Sequence, residues 1–485
     1  MGETRIESDS FGPIELPANA LWGAQTARSL HFFAIGNQRM PIEVIHALAW
    51  VKWAAAGVNS QLGLLDADKA AAIADAAQQV AEGKYDGEFP LSVWQTGSGT
   101  QSNMNVNEVV AALATRALAV GALAVGALAI RAPSTLALSQ STQLVSKIHP
   151  NDDVNLGQSS NDVFPTAMHL AVAGLVTRRL LPSLTQLREA IAAKRQLIGS
   201  AIKIGRTHLQ DATPMTLGQE LSGYEAQLEL CVESIEHALR PVQTLAIGGT
   251  AIGTGLNTHP AFGARVAALL AAKLGLPLSQ AGNLFAAMAG HEALVGLHAS
   301  LKMLAIVLIK IGNDIRMMGS GPRAGLGELR LPQNEPGSSI MPGKVNPTQI
   351  EALTMVCAQV MGHDAAIGFA ASQGQFELNV YKPLIVLNTL DSIHLLDDAM
   401  RSFTQHCVRG IEIDADRMSA LVQNSLMLVT ALAPHIGYDA AAQIAKAAYE
   451  RQCTLREAAL ALGFVTADEF DGWVDAGKML GPRAD

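Results

Sequence analysis

The chain has 485 residues, of which 49% are hydrophobic, 16% are charged and 5% are aromatic. This length suggests roughly two to four domains, and the apolar half of the sequence excludes an intrinsically disordered chain. With 34 basic and 43 acidic residues the net charge is −9, which argues against a nucleic-acid-binding surface, because such a surface needs a concentrated positive field.

The N-terminal segment predicts an unsecreted, cytoplasmic protein that begins with a small β element. MGETRIESDS is charged and polar, and it has neither the basic nor the apolar region of a secretory signal. Residues 6–16 carry Gly12-Pro13 and predict a short hairpin in a sequence with few alternating runs. The cysteines lie far apart and predict free thiols in a reducing compartment: Cys231, Cys357, Cys407 and Cys453.

One apolar run raises the question of a membrane segment. Residues 117–130 read ALAVGALAVGALAI, which is 14 residues, whereas a membrane-spanning helix needs about 20. Residues 117–131 form three tandem pentads, and three interpretations stay open: a membrane-touching helix, a partner site and a tolerated extension by repeat duplication. The extension is favoured, because an interfacial helix needs a basic polar face, and each repeated glycine costs a helix about 1 kcal/mol.

Two heptad patterns predict long helices that pack in a bundle. One covers residues 294–318 and ends at the breaker 319–322, and the other covers residues 217–245 with a kink expected near Pro241. Apolar residues on the remaining faces of the first helix predict burial against other subunits: Ala305, Ile306, Val307 and Ile309. We therefore expect a mainly helical homo-oligomer.

Four polar clusters interrupt the helical patterns, at residues 96–107, 149–166, 205–214 and 337–347. Chemistry is expected there, because functional residues concentrate on loops held by a rigid scaffold. The densest cluster, GSSIMPGKVNP, is not a nucleotide-binding P-loop, since five residues separate its glycines and Val345 follows the lysine. It offers serine hydroxyls and then Lys344 and Asn346, which can hold an anion by charge and by amide donation.

These clusters resemble the signature motifs of the fumarase/aspartase superfamily. TGSGTQSNMNVNE (96–108), HPNDDVN (149–155), GQSSNDVFPTAMH (157–169), GRTHLQDATPMTLGQE (205–220) and GSSIMPGKVNP follow in the family's order over nearly the whole chain. LWGAQT (21–26), HPNDDVN and PGKVNPTQ resemble class II fumarases more than aspartases. The resemblance implies a mainly α, three-domain lyase fold, whose central long-helix bundle assembles into a homotetrameric core. We predict domains at 1–157, with an insertion at about 117–140, at 158–415 and at 416–485.

The resemblance to class II fumarases implies reversible trans hydration of fumarate to L-malate through an aci-carboxylate carbanion, without a metal or other cofactor. Ser338 matches the family's proposed base, which requires that backbone N–H groups of its loop and the Lys344 charge stabilise its alkoxide. Whether Ser338 or a water that it positions takes the proton stays open. Lys344 and Asn346 match positions that meet charge developing on the substrate. His208, with Glu351 as the partner that raises its basicity, is expected to handle the water.

Substrate carboxylates need neutral donors, because the net charge of −9 repels a dianion. The family's binding positions are matched by Ser98, Thr100, Ser159, Ser160, Asn161, Thr207, Lys344 and Asn346. A single hydroxyl of this kind is more often a turn former or helix cap, so the clustering in the family's loops is what points to function. In this superfamily loops of three subunits build each active site, which implies an inactive monomer.

The sequence departs from the family in two places. The family usually has an Asn-Arg pair where this chain has Ala112-Leu113. At the family's second dicarboxylate site, Ser146 stands where an arginine is usual. The other positions of that site are matched, by His149, Asn151 and Asp152. Without the arginine's bidentate clamp we predict that this second site binds dicarboxylates weakly or not at all.

Two other functions stay open from the sequence. One is another lyase of the superfamily, such as an aspartase, which eliminates ammonia rather than water. The other is a structural member without catalysis, but retention of the five catalytic and charge-stabilising positions argues against it. The partners expected are a small dicarboxylate and further copies of this chain, with no nucleic acid and no membrane.

Overall fold

The computed structural model describes residues 3–129 and 147–482, with the backbone alone described at 121–129. This part of the chain is mainly helical, as predicted. Its α-helices are α1 (Ala24–Phe32), α2 (Ile42–Gln61), α3 (Ala67–Ala81), α4 (Thr100–Ala129), α5 (Ser160–Leu175), α6 (Leu181–Ile198), α7 (Leu217–Val242), α8 (Phe262–Leu274), α9 (Leu284–Ala289), α10 (Glu292–Met318), α11 (Thr348–Ala371), α12 (Lys382–His406), α13 (Ala415–Asn424), α14 (Ala433–Ile436), α15 (Tyr438–Arg451), α16 (Leu455–Leu462) and α17 (Ala467–Trp473).

Both heptad patterns form long helices. All eight seam residues of α10, from Leu294 to Met318, are buried, which confirms the first pattern. Among the described helices α10 alone has the length and hydropathy to cross a membrane, but half of its most apolar window is buried within the chain, as in a core helix. The second pattern extends too far, since α7 includes Pro241, ends at Val242, and leaves Leu245 in a short strand.

The described strands are short and pair in twos. They are β1 (Thr4–Asp9), β2 (Gly12–Pro17), β3 (Ile202–Thr207), β4 (Gln210–Thr216), β5 (Thr244–Leu245), β6 (Ser279–Gln280), β7 (Leu329–Arg330) and β8 (Glu412–Ile413). The β1–β2 pair is antiparallel and confirms the N-terminal hairpin. The β3–β4 pair is antiparallel with a bulge at Gly205, so residues 205–214, predicted as a loop, instead belong to a hairpin.

The chain divides into two compact units. Unit 1 comprises residues 1–180, 234–302 and 359–395, and unit 2 comprises residues 181–233, 303–358 and 396–485. The three-domain division at 157 and 415 stays a prediction.

In unit 1, α2 packs on α3, α5 and α8, and its buried face is almost entirely apolar. Helix α4 continues through the first pentads to Ala129, whereas the end of the predicted insertion and Ser146 lie outside the described residues.

In unit 2, the C-terminal helices form an apolar cluster that holds the β3–β4 hairpin. Ile204 of β3 is buried in this cluster and Ile202 packs against it. The cluster also contains Leu432 and Ile444 from the C-terminal segment, both fully buried. The C-terminal segment 422–479 therefore fixes the position of the hairpin that carries His208.

Candidate active site

The loop before α4 packs so closely that only glycine fits at two positions. A Cβ at Gly97 would lie 1.3 Å from the carbonyl oxygen of Val380, and Gly99 combines a φ of +78° with a Cβ position 2.3 Å from the Phe164 ring. Between these glycines Ser98 is buried, and its Oγ lies 2.8 Å from Thr100 Oγ1. The loop thus presents two coupled hydroxyls at the first turn of α4.

A second set of hydroxyls, those of Ser159 and Ser160, lies at the N-terminus of α5. Ser159 is the N-cap, and its Oγ accepts from Asn161 N at 3.2 Å. Ser160 Oγ accepts from Asn103 Nδ2 of α4 at 3.1 Å, so the N-termini of α4 and α5 converge. Each N-terminus carries a partial positive charge, and two of them together form a favourable environment for a dicarboxylate. Unit 1 therefore brings five predicted binding residues together.

The buried carboxylate of Asp162 holds the N-terminus of α5 through hydrogen bonds. Asp162 Oδ1 accepts from Ser159 N at 2.9 Å, and Oδ2 accepts from Gly248 N and Thr250 N at 2.9 and 3.0 Å. Burial raises the pKa of Asp162 to about 6, although these N–H donors and the Lys52 charge act in the opposite direction. Asp162 was not predicted as a site residue from the sequence.

A buried lysine holds the turn that precedes α5. Lys52 Nζ donates to Asn155 Oδ1 at 2.9 Å and to Gln158 Oε1 at 3.0 Å. Asn155 Oδ1 also accepts from the amides of Asn103 and Asn107, both at 3.3 Å. Lys52 was not predicted from the sequence, although a single charged residue within the apolar stretch ALAWVKWAAAGV is a signal that points to it.

In unit 2 the loop 337–347 is closed by hydrogen bonds between its own residues. Gly337 N donates to the Lys344 carbonyl at 2.8 Å, and Asn346 Nδ2 donates to the Gly337 carbonyl at 2.7 Å. Ser338 Oγ accepts from Ile340 N at 3.2 Å and from Met341 N at 3.0 Å. Two backbone donors therefore meet the hydroxyl oxygen that the base hypothesis requires to be stabilised.

Two charged side chains of this region are solvent-exposed, Lys344 in the loop and Glu351 in the first turn of α11. An exposed ammonium and an exposed carboxylate are available to a substrate or to another subunit. Among the described residues no hydrogen bond or ion pair joins Glu351 to His208, so their pairing stays a proposal.

His208 lies in a strained two-residue turn of the β3–β4 hairpin. Thr207 pairs with Gln210, and the residues between them, His208 and Leu209, have φ of 56° and 60°. Both are thus in the left-handed region, which costs a residue with a Cβ about 1 kcal/mol or more. Strain of this kind is common at functional sites, and here it presents the exposed His208 imidazole at the tip of the hairpin.

A buried ion pair anchors the same hairpin. Arg206 donates from its two terminal nitrogens to the two carboxylate oxygens of Glu328, each at 2.9 Å, and Glu328 is 0% exposed. Lys203 Nζ lies 3.9 Å from the same carboxylate. These residues were not predicted from the sequence.

The predicted second dicarboxylate site lies beside a cavity of about 520 Å³ in unit 1. His149 and Asn151 line the cavity, as does Ala112, one of the two residues that replace the family's polar pair. His149 Nδ1 accepts from Asp152 N at 3.1 Å, and both side chains are largely exposed. Ser146 lies outside the described residues, so the predicted loss of binding stays untested.

Glu108, the last residue of the first motif, has a structural position. Its carboxylate accepts from Gly23 N, Gln25 N and the Thr26 hydroxyl, at 2.8, 2.9 and 2.7 Å, and so caps α1 within the LWGAQT motif. Burial raises its pKa, and these donors oppose that shift.

No group of three or more His, Cys, Asp or Glu side chains in the described ranges is placed to hold a metal ion.

Two family models match this chain. One, described as Lyase, matches residues 12–362, and the other, described as Fumarase C C-terminus, matches residues 428–481. The helical fold and these matches define the chain as a lyase of the fumarase/aspartase superfamily.

Known relatives narrow that class. The chain is 60% identical to a class II fumarate hydratase of Chromobacterium violaceum over 98% of this chain and 99% of the relative, and 58% identical to one of Thermosynechococcus vestitus over 99% of both. The crystal structure of class II fumarase from Schistosoma mansoni is similar to this fold, with a TM-score of 0.91. The two sequences are 44% identical, and the match covers 98% of this chain and 99% of that chain. A fumarate lyase:delta crystallin structure from Brucella melitensis, bound to cobalt, is 40% identical with a TM-score of 0.89, covering 99% of this chain and all of that chain. The chain belongs to the class II fumarate hydratase family.

Proposed function

We infer that the chain is a fumarate hydratase, which interconverts fumarate and L-malate by trans addition and elimination of water. The identity of 60% over nearly the whole chain supports this activity, with the predicted catalytic residues all retained. The geometric observation that carries the proposal is the convergence of the N-termini of α4 and α5, with the hydroxyls of Ser98, Thr100 and Ser160.

Binding of the substrate dianion is the first step proposed. The net charge of −9 disfavours a dianion at long range, so attraction must come from local donors. The two helix N-termini supply partial positive charge together with the hydroxyls of Ser98, Thr100, Ser159 and Ser160. The amide of Asn161, whose Nδ2 also donates to the Ala251 carbonyl, and the exposed hydroxyl of Thr207 complete the predicted set.

Removal of a carbon-bound proton is the second step. In the direction from malate, the base takes the proton from the carbon beside one carboxylate, and the electron pair of the C–H bond moves into that carboxylate. Ser338 is the proposed base, and donation from two backbone N–H groups favours its oxyanion form. The aci-carboxylate that results carries the developed charge.

Fixed donors must meet that charge. Lys344 supplies an exposed ammonium from the same loop as Ser338. Asn346 uses one amide hydrogen on the Gly337 carbonyl, which orients the amide and leaves the other hydrogen for the substrate. Donors aimed at developing charge are commonly the largest catalytic contribution, and the loss of one can lower kcat about 100-fold or more.

Departure of water completes the elimination. The electron pair held by the aci-carboxylate forms the carbon–carbon double bond of fumarate as the C–O bond breaks. The pair of the C–O bond leaves with the hydroxyl group, and a proton from His208 converts that group to water. We propose that Glu351 supports His208 through a contact between subunits. This fits the further proposals that the chain is a homotetramer, that loops of three subunits build each active site, and that the protein is cytoplasmic.

The test is an assay of L-malate and L-aspartate in parallel, in which the absorbance of fumarate is measured, together with mass determination by size-exclusion chromatography and light scattering. Fumarate formed from malate and not from aspartate, by a tetramer, is the expected result. Formation from aspartate would favour an ammonia lyase. The absence of both activities in a folded tetramer would favour a structural member of the superfamily.

A further inference from the structure

A lysine with no solvent exposure lies behind the candidate substrate-binding turn. Lys52 belongs to α2, is 0% exposed, and its neighbours on the buried face include Leu48, Val51 and Ala55. Removing an amine from water is costly for the fold, and a methionine or leucine would fill this position without that cost. Stability alone therefore gives no reason for a lysine here.

The contacts of Lys52 give it a different role. Its single nitrogen reaches both ends of the turn 155–158, through Asn155 Oδ1 and Gln158 Oε1. Gln158 directly precedes Ser159, and the Gln158 amide also donates to the carbonyls of Val154 and Leu156, which closes the turn. The position of the first α5 residues therefore depends on the position of this nitrogen.

Asn155 extends the same contact to the other helix N-terminus. Its Oδ1 accepts hydrogen bonds from the side-chain amides of Asn103 and Asn107 of α4, in addition to the one from Lys52. Asn103 in turn donates to Ser160 Oγ. One half-buried side-chain oxygen thus joins α2, α4 and the turn before α5.

We propose that Lys52 is a positioning residue, which holds the turn 155–158 through Asn155 and Gln158 and so fixes the substrate donors at 159–161. The inference rests on the proposed function, because those donors are assigned to the substrate there. Burial lowers the pKa of Lys52 to about 7, and the Asp162 carboxylate opposes that shift. The side chain is a hydrogen-bond donor to neutral amides in either protonation state.

The decisive variant is Lys52→Met, which removes the donor and nearly preserves the volume. KM for fumarate and the Kd of succinate, a dicarboxylate that does not react, are measured for the tetrameric protein. We expect both to rise about tenfold or more while kcat changes less than about threefold, because the donors contact ground state and transition state equally. Unchanged KM and Kd, or a loss confined to kcat, would overturn the proposal.

A second variant keeps the proposal falsifiable if Lys52→Met does not fold. Asn107→Ala removes one donor to Asn155, and the oxygen it deletes has no hydrogen-bond partner among the residues that the structure describes, so the fold should tolerate the change. We expect smaller increases of KM and Kd, and unchanged values would count against the proposal.

The control is Thr389→Val in α12. The buried Thr389 hydroxyl donates to the Ile385 carbonyl of its own helix and to no other group in the described part of the chain. Its KM and Kd should equal those of wild type. Wild-type protein without fumarate hydration would refute the proposed function alone, because succinate binding still tests the role of Lys52.

Discussion

Loss of the Arg206 guanidinium is expected to destabilise unit 2 by about 3 kcal/mol. Glu328 is fully buried, and both of its carboxylate oxygens accept from Arg206 at 2.9 Å. Removal of one partner from a buried ion pair costs about 3–5 kcal/mol, because the remaining charge stays unpaired in a medium of low dielectric constant. Lys203 Nζ remains 3.9 Å from this carboxylate, so the lower end of the range applies.

The substitution is Arg206→Met, which keeps an apolar stem of similar length. Urea unfolding followed by circular dichroism, under conditions where it is reversible, gives the difference in the free energy of unfolding. The control is Arg456→Met. Arg456 also donates two hydrogen bonds to one carboxylate, that of Asp471, but both side chains are about half exposed. Exposed pairs contribute little, so this variant should unfold at nearly the wild-type urea concentration.

A double variant separates the lost pair from the charge left behind. Arg206→Met combined with Glu328→Gln leaves no unpaired carboxylate and should be more stable than Arg206→Met alone. Equal stability of Arg206→Met and wild type would refute this reasoning, as would a double variant no more stable than the single one. Since Arg206 lies two residues before His208, kcat should also fall in Arg206→Met and stay unchanged in Arg456→Met.

Three further predictions concern the candidate sites. Ser338→Ala should lower kcat by several orders of magnitude with fold and oligomer intact, and turnover above about a tenth of wild type would remove Ser338 from the role of base. Glu351→Gln should shift or abolish the acidic limb of the pH profile of kcat/KM, and an unaltered profile would separate Glu351 from His208. A crystal soaked in malate should show no ordered ligand at His149, and ordered malate there would contradict the weak second site inferred from Ser146.

The long helices could be predicted from the sequence because their signal is local. In α10 the steps of three and four between apolar residues coincide with the buried seam from Leu294 to Met318. A helix needs only neighbours three and four positions away, so its period is visible without knowledge of the fold. The boundaries were less accurate, since α4 begins at Thr100, inside a cluster predicted as a loop.

The β3–β4 hairpin could not be predicted in the same way. Its two-residue turn, His208-Leu209, has neither the asparagine nor the glycine that normally marks a turn with positive φ at both positions. The hairpin depends instead on Ile204 in the C-terminal cluster and on the contact of Arg206 with Glu328, 122 positions later in the chain. Such long-range contacts leave no periodic trace in the sequence.

Two segments that break local rules belong to the candidate site or support it. Helices α16 and α17 begin with complete capping boxes and carry no predicted site residue. In contrast, the hairpin of His208 holds two strained residues, and α2 buries Lys52 behind the substrate-binding turn. Each of these features lowers stability without improving packing, so another contribution must account for it. Ser159 shows that a hydroxyl in a polar loop can also be a helix cap, so strain and buried charge add information about function that the hydroxyl alone does not carry.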